Sequence, residues 1–185
     1  MVFTDTHLKG VYFVDIEPSA DERGFFARSW CRREFAARGL CTEFVQSSVS
    51  RSRKRGTLRG LHYQEAPHEE VKLVRCTRGA VYDVIVDLRP RSDTFLHHVG
   101  AVLSEDNHRA IYVPEGCGHG FLTLTDDSEV FYQISQFYEP AAGRGVRWND
   151  TVFAISWPEP VVVISDRDRL YPDFRLPRGT GSAAR

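Results

Sequence analysis

Between Gly56 and Gly79 the sequence reads "GTLRGLHYQEAPHEEVKLVRCTRG", which places His62, Gln64, His68, Glu69, Glu70 and Lys72 within a short reach of one another. Imidazole, carboxylate and ammonium groups at this density allow three outcomes: ligation of a metal, transfer of a proton, or a hydrogen-bonded core with no chemistry. A further imidazole, His119, stands in "YVPEGCGHGF" at a fixed distance from Pro114 and Gly116.

The spacing of these groups resembles the metal frame of the cupin type, in which one strand pair presents His-x-His followed by Glu, and a later Pro-x-Gly-x-x-His adds a fourth ligand. His62 and His119 occupy two of those positions. The second histidine position holds Gln64, and the carboxylate position holds Lys72. An ammonium has no lone pair to donate and repels a divalent cation, which leaves two imidazoles, too few for a usual site. His68, Glu69 and Glu70 are adjacent on a turn and do not converge easily, so they read as loop residues without assigned chemistry. The expectation is no metal and no cofactor, but a cavity kept polar for acid–base work on an organic substrate.

The elements that must position these side chains are strands. Short apolar segments rich in Val, Ile, Phe and Tyr, bounded by Gly, Pro, Asp or Ser, recur along the chain. They are "VYFVDI", "FFARSW", "EFVQSSVS", "TLRGLHYQ", "KLVRC", "AVYDVIVDL", "RAIYVP", "GFLTL", "EVFYQISQFY" and "VVVIS". Such a series predicts an all-β sandwich or barrel rather than a parallel sheet with crossover helices. The best helix is "CRREFAAR", stopped by Gly39 where a left-handed cap residue is favoured. In "AVYDVIVDL", alternation puts Val81, Asp83, Ile85 and Asp87 on one face, and a face mixing apolar residues with carboxylates suits a wet cavity or an interface. The segment "YEPAAGRGVRWNDTVFAISW" breaks any strand rhythm and reads as an ordered, functional connection. "RSRKRG" reads as a solvated turn between two strands, and the tail "RLPRGTGSAAR" as frayed.

Composition narrows the partners. At 185 residues the chain suits one domain, residues 1–185, with 24 Lys and Arg against 25 Asp and Glu. That balance predicts neither a nucleic-acid nor a membrane partner and favours a small molecule. Cys31, Cys41, Cys76 and Cys117 form no Cys-x-x-Cys pair and read as reduced thiols. With no export signal in "MVFTDTHLKGVYFVDIEP", a cytoplasmic location is expected.

Taken together, "DERGFF", "LRGLHYQ", "KLVR", "DVIVDLR", "YVPEGCGHGF", "VFYQISQFYEP", "RWND", "SWP" and "ISDRD" resemble the dTDP-4-dehydrorhamnose 3,5-epimerases, in order and over residues 8 to 170. The resemblance implies a metal-free cupin-type jelly-roll β-barrel with minor short helices. It implies a homodimer whose chains exchange edge strands, and a nucleotide-sugar substrate. The implied reaction inverts C3 and C5 of a nucleoside-diphosphate 4-keto-6-deoxyhexose. A ketone at C4 acidifies both neighbouring C–H bonds, so a base can form an enolate that is reprotonated from the other face. By resemblance His62 is the base, Asp168 its orienting partner, Lys72 the cation beside the enolate oxygen and Tyr132 the acid. Arg23, Gln46, Arg59 and Arg167 fall to the polar nucleotide end, Phe26 and Tyr138 to the faces of the base, and His119 to the sugar.

Three details qualify that pattern. Alternation alone would set Arg59 and His62 on opposite faces, and Gly60 between them is placed to make a bulge that turns both toward one pocket. Arg28 stands where the family has an acid, and Ser48 where it has Asn. Both departures fall at the nucleotide end. A guanidinium facing the base would match the N3 acceptor of cytosine, so an enzyme inverting only C3 or only C5 of another, CDP-linked, sugar is the alternative.

Overall fold

A computed structural model describes residues 1–175, and the tail beyond Arg175 lies outside the described residues. In chain order the elements are β1 (Val2–Asp5), β2 (Tyr12–Asp15), β3 (Ser19–Asp21), β4 (Gly24–Phe26), α1 (Arg32–Ala36), β5 (Gln46–Ser52), β6 (Thr57–Gln64), β7 (Lys72–Arg78) and β8 (Ala80–Asp87). They continue with β9 (His98–Ser104), β10 (Ala110–Val113), β11 (Cys117–Thr123), β12 (Ser128–Ile134), β13 (Gly143–Gly145), β14 (Val163–Ile164) and α2 (Asp166–Arg169). One sheet runs β1-β2-β10-β7-β12-β5 and the other β13-β6-β11-β8-β9, while β3 and β4 form a separate hairpin. These two facing antiparallel sheets make an all-β jelly-roll barrel of the cupin type.

The alternation in β8 explains how the sheets close. Val81 and Ile85 meet Val74, Cys76, Ile111, Phe121 and Val130 between the sheets. Val84 and Val86, on the opposite face, are covered by Val146 and Phe153 from the long connection after β12. Both faces of the strand are therefore buried, which is why its sequence reads as a nearly continuous apolar run. Outside the first sheet, Phe35 of α1 is fully buried with Val14, Leu73 and Tyr112. Burying a side chain of that size contributes about 1.5–3 kcal/mol. α1 ends as the sequence predicts: Gly39 takes φ +68° and the Leu40 N–H returns to the Phe35 carbonyl at 3.0 Å.

Some elements differ from the sequence reading. β4 stops at Phe26 instead of running through "FFARSW", "VVVIS" contracts to the two residues of β14, and β1, β3, β9 and β13 are additional strands, the last inside the connection read as breaking strand rhythm. Gly100 interrupts the strand signal of β9, and it is there for packing: a Cβ at Gly100 would lie 2.2 Å from the Tyr82 hydroxyl of β8. "RSRKRG" spans the end of β5 and the turn into β6, as expected, with Arg51 and Arg55 paired to Asp127 and Glu159. Among the described residues, no helix is long and apolar enough to cross a membrane.

Candidate active site

At one end of the barrel the apolar interior gives way to a cavity of about 700 Å³ between the sheets. That is within the size range of small-ligand sites. β6 carries its central side chains, and the register shows how. Arg59 pairs with Phe121 and His62 with His119, so β6 has one residue more than β11 over the same span. The extra residue is the bulge expected at Gly60, and both Arg59 and His62 line the cavity. Gly60 has φ +128°, and a Cβ there would lie 2.5 Å from the Gly120 Cα, so only glycine permits this crossing of β6 over β11.

His62 meets Asp168 across more than a hundred residues of sequence. β14 lies parallel to the start of β6, with Val163 beside Thr57 and Ile164 beside Leu58. The chain then turns into α2, whose Ser165 cap accepts the Asp168 N–H at 3.1 Å. This delivers Asp168 Oδ1 to 2.7 Å from His62 Nε2, while Oδ2 accepts the Gly60 N–H at 3.1 Å. Burial alone would raise the Asp168 pKa, but hydrogen bonds from His62, Gly60 and Ser165 together with the imidazole charge hold it below the usual carboxylate value. Among the described residues His62 Nδ1 has no hydrogen-bond partner, so one ring nitrogen is oriented and the other is available.

A second imidazole–carboxylate pair lies deeper. His119 Nε2 is 2.8 Å from Asp83 Oδ2, with Asp83 fully buried. Asp83 belongs to the inward face of β8 that the alternation had marked as wet; Asp87 on the same face goes elsewhere, clamping Arg89, Ser92 and Thr94. The edge of one ring, Tyr132 or His119, points toward the other, with centroids 6.0 Å apart. Burial, with the nearby Asp83 charge adding to it, pushes the Tyr132 phenol far above its ordinary value, so it stays protonated at neutral pH. Tyr132 lies on β12 of the first sheet and His62 on β6 of the second, so the cavity separates them.

Lys72 faces inward from β7, on the same face as the core residues Val74 and Cys76. Its Nζ lies 2.8 Å from Glu70 Oε1 and 3.4 Å from the His62 carbonyl. Glu70, which the sequence reading left without a role, lines the cavity with it. Gln64, at the position of a missing ligand, is fully used as a brace. Its amide donates to the carbonyls of His68 at 2.9 Å and Phe137 at 3.2 Å, and its oxygen accepts the Glu139 N–H at 2.7 Å. Gln46 accepts the Tyr138 N–H at 2.7 Å, so two glutamines fix the segment carrying Tyr138 at the mouth.

Ser48, Arg59, His119, Tyr138 and Arg167 also line the cavity. Arg167 donates to the Tyr171 hydroxyl at 2.8 Å, and its pKa is raised by bonds to Tyr138 and Tyr171. Arg23, Phe26 and Arg28 are not brought to it. They sit on or just after the β3–β4 hairpin, with Phe26 80% exposed and Arg28 3.3 Å from Glu34 of its own chain. Sequence reasoning marked Asp83 only as part of a wet face and, besides Glu70, missed Arg144 of β13, which lines the cavity and pairs with Glu65. Its only signal was its place in the functional connection.

A jelly roll with an oriented imidazole on one sheet and a protonated phenol on the other has the layout of a proton-transferring sugar enzyme, and comparison with known proteins specifies the kind. The family model described as dTDP-4-dehydrorhamnose 3,5-epimerase matches residues 5–175. The enzyme of that name from Shigella flexneri is 43% identical over 164 residues, 88% of this chain and 90% of that one. The dTDP-4-dehydrorhamnose 3-epimerase of Streptomyces niveus is 39% identical over 163 residues, 88% of this chain and 78% of that one. The crystal structure of the 3,5-epimerase from Bacillus anthracis with TDP and PPi bound superposes with a TM-score of 0.90 at 40% identity, covering 94% of this chain and 99% of that one. The chain belongs to the dTDP-4-dehydrorhamnose 3,5-epimerase family, a family of isomerases.

Proposed function

We propose that this chain inverts C3 and C5 of dTDP-4-dehydro-6-deoxy-D-glucose to give dTDP-4-dehydro-L-rhamnose, without a metal or cofactor. The observation that carries the reading is the placement of His62–Asp168 and Tyr132 on opposite walls of one cavity. A sugar ring between them presents one face to a base and the other to an acid, as inversion requires. His62 Nδ1 takes the proton from C3 or C5, and Asp168 stabilises the imidazolium that forms. The electron pair moves to the C4 oxygen, where the Lys72 ammonium faces the developing charge. Tyr132 returns a proton from the other side.

The donor set supports the metal-independent reading. Gln64 is spent on backbone groups, and Lys72, a cation, stands at the carboxylate position, which leaves two imidazoles, too few for a usual site. Arg59, Arg167 and Tyr138 form the nucleotide end. In this reading the chain is a homodimer, and the exposed hairpin bearing Arg23, Phe26 and Arg28 completes the cavity of the second copy. The open edge of β5, with Val49 outward, supports such an exchange.

The test is incubation with the thymidine-linked 4-keto-6-deoxyglucose in D2O, with C3 and C5 followed separately by NMR. Deuterium should enter both centres. Exchange at one carbon only would make the chain a mono-epimerase, like the Streptomyces niveus relative by name; exchange at neither, in protein that binds thymidine diphosphate, would refute the reading.

A further inference from the structure

We infer that Glu70 is a positioning residue for the reaction: it fixes and counter-charges the Lys72 ammonium so that one N–H remains aimed at the substrate oxygen. This rests on the reading of Lys72 given above and extends it to a residue outside the His–Asp–Tyr set.

Lys72 is on the inward face of a strand in the middle of its sheet, between Val113 of β10 and Ile134 of β12. Its side chain and that of Glu70 are each only 10% exposed, so the ammonium cannot reach bulk water as surface lysines do. A charge in such a place needs a partner, and a flexible four-carbon stem needs an anchor. The His62 carbonyl at 3.4 Å is a long contact, whereas the Glu70 carboxylate at 2.8 Å is a charge-assisted bond. An ammonium has three N–H groups. With one on Glu70 and one toward His62, the third is left for the cavity.

Glu70 is itself held. Its segment is pinned at one end by Gln64, which donates to the His68 carbonyl at 2.9 Å. At the other end Val71 and Ser135 exchange two hydrogen bonds, of 2.8 and 3.0 Å. Glu70 stands two residues before Lys72, and both side chains line the cavity and meet there. The pair is electrically neutral at rest, and it gains a favourable partner only when negative charge develops on the substrate. That is the condition for stabilising the enolate more than the bound ketone.

A double-mutant cycle tests this, with deuterium exchange at C3 and C5 and thymidine diphosphate affinity measured for each protein. Lys72→Met should slow exchange about 100-fold. Glu70→Gln should slow it about tenfold while nucleotide affinity stays within about twofold. Because Glu70 acts through Lys72, adding Glu70→Gln to Lys72→Met should cost nothing more. Exchange at the wild-type rate in Glu70→Gln, or a full additional loss in the double variant, overturns the inference. So does loss of nucleotide binding in parallel with exchange, which would mark Glu70 as structural. If Lys72→Met itself exchanges normally, the assignment of Lys72 fails instead.

Discussion

Replacing Asp168 by Asn changes one atom and inverts the hydrogen-bond logic of the proposed base. The Gly60 N–H, 3.1 Å from Oδ2, must still be accepted, and in Asn only the amide oxygen can do so. The amide NH2 then faces His62 Nε2, which must become an acceptor, and the ring proton moves to Nδ1, the nitrogen that should receive the substrate proton. The imidazolium of the transition state also loses its counter-charge. Unit charges about 4 Å apart at an effective dielectric of about 20 interact by ~4 kcal/mol, or about a thousandfold in rate. The His62 side chain is 40% exposed while that of Asp168 is 5%, so water screens part of this, and a loss of about 10²–10³ is expected. Deuterium exchange in D2O reads the step directly, and thymidine diphosphate affinity should stay within about twofold, because Asp168 faces the imidazole and not the nucleotide end. Exchange within tenfold of wild type would refute the role given to this pair.

Other perturbations follow from the same geometry. His62→Ala should abolish exchange at both carbons with nucleotide binding retained; substantial turnover would show another base. Tyr132→Phe should slow net epimerisation more than exchange, since abstraction survives without the acid, and equal losses by NMR would argue for a different role. Gly60→Ala should cost about 3 kcal/mol, a fall in Tm of roughly 6–12 °C by calorimetry, from its φ of +128° and the clash with Gly120; an unchanged Tm would contradict the bulge. For Asp87, burial would raise the pKa, but the bonds from Arg89, Ser92 and Thr94 prevail and lower it to about 2 from the ordinary 3.8. Its folded value is depressed, so its stabilisation is present above about pH 4 and is lost as pH falls toward 2. Asp87→Asn should flatten the acid limb of urea stability, and an unchanged limb would discount that network.

What could be read from the sequence and what could not divide along physical lines. Period-two alternation located most strands, because each exposes a packing demand within a few residues. The bulge at Gly60 was legible too, since Arg59 and His62 could share a pocket only if one residue were added between them. β9 was not: its Gly100 makes room for Tyr82, and a side chain that is absent leaves no signal. Asp168 could be assigned only through family resemblance, because the contact that defines it is made by β14 lying along β6, at a separation no local pattern reports. Glu70 was dismissed for a sound local reason, that adjacent loop groups do not converge on a metal. The structure shows a single loop carboxylate turning inward to Lys72, in a segment that Gln64 and Ser135 hold at its two ends.

On the proposed reading, the distribution of charge orients the substrate. Each carboxylate lining the cavity has an imidazole or ammonium against it, Asp168 with His62 and Glu70 with Lys72, and the buried Asp83 lies behind His119. At the mouth Arg59 and Arg167 are exposed and have no carboxylate partner among the described residues. A diphosphate is drawn to such a rim, where guanidinium groups match its oxygens and water still screens the encounter. The sugar, uncharged, can enter the interior, where a free carboxylate would repel the enolate and a free cation would trap the diphosphate instead. On the proposed mechanism, cations at the rim and paired carboxylates within set the direction of binding, and the Lys72 ammonium faces the ketone oxygen where negative charge develops.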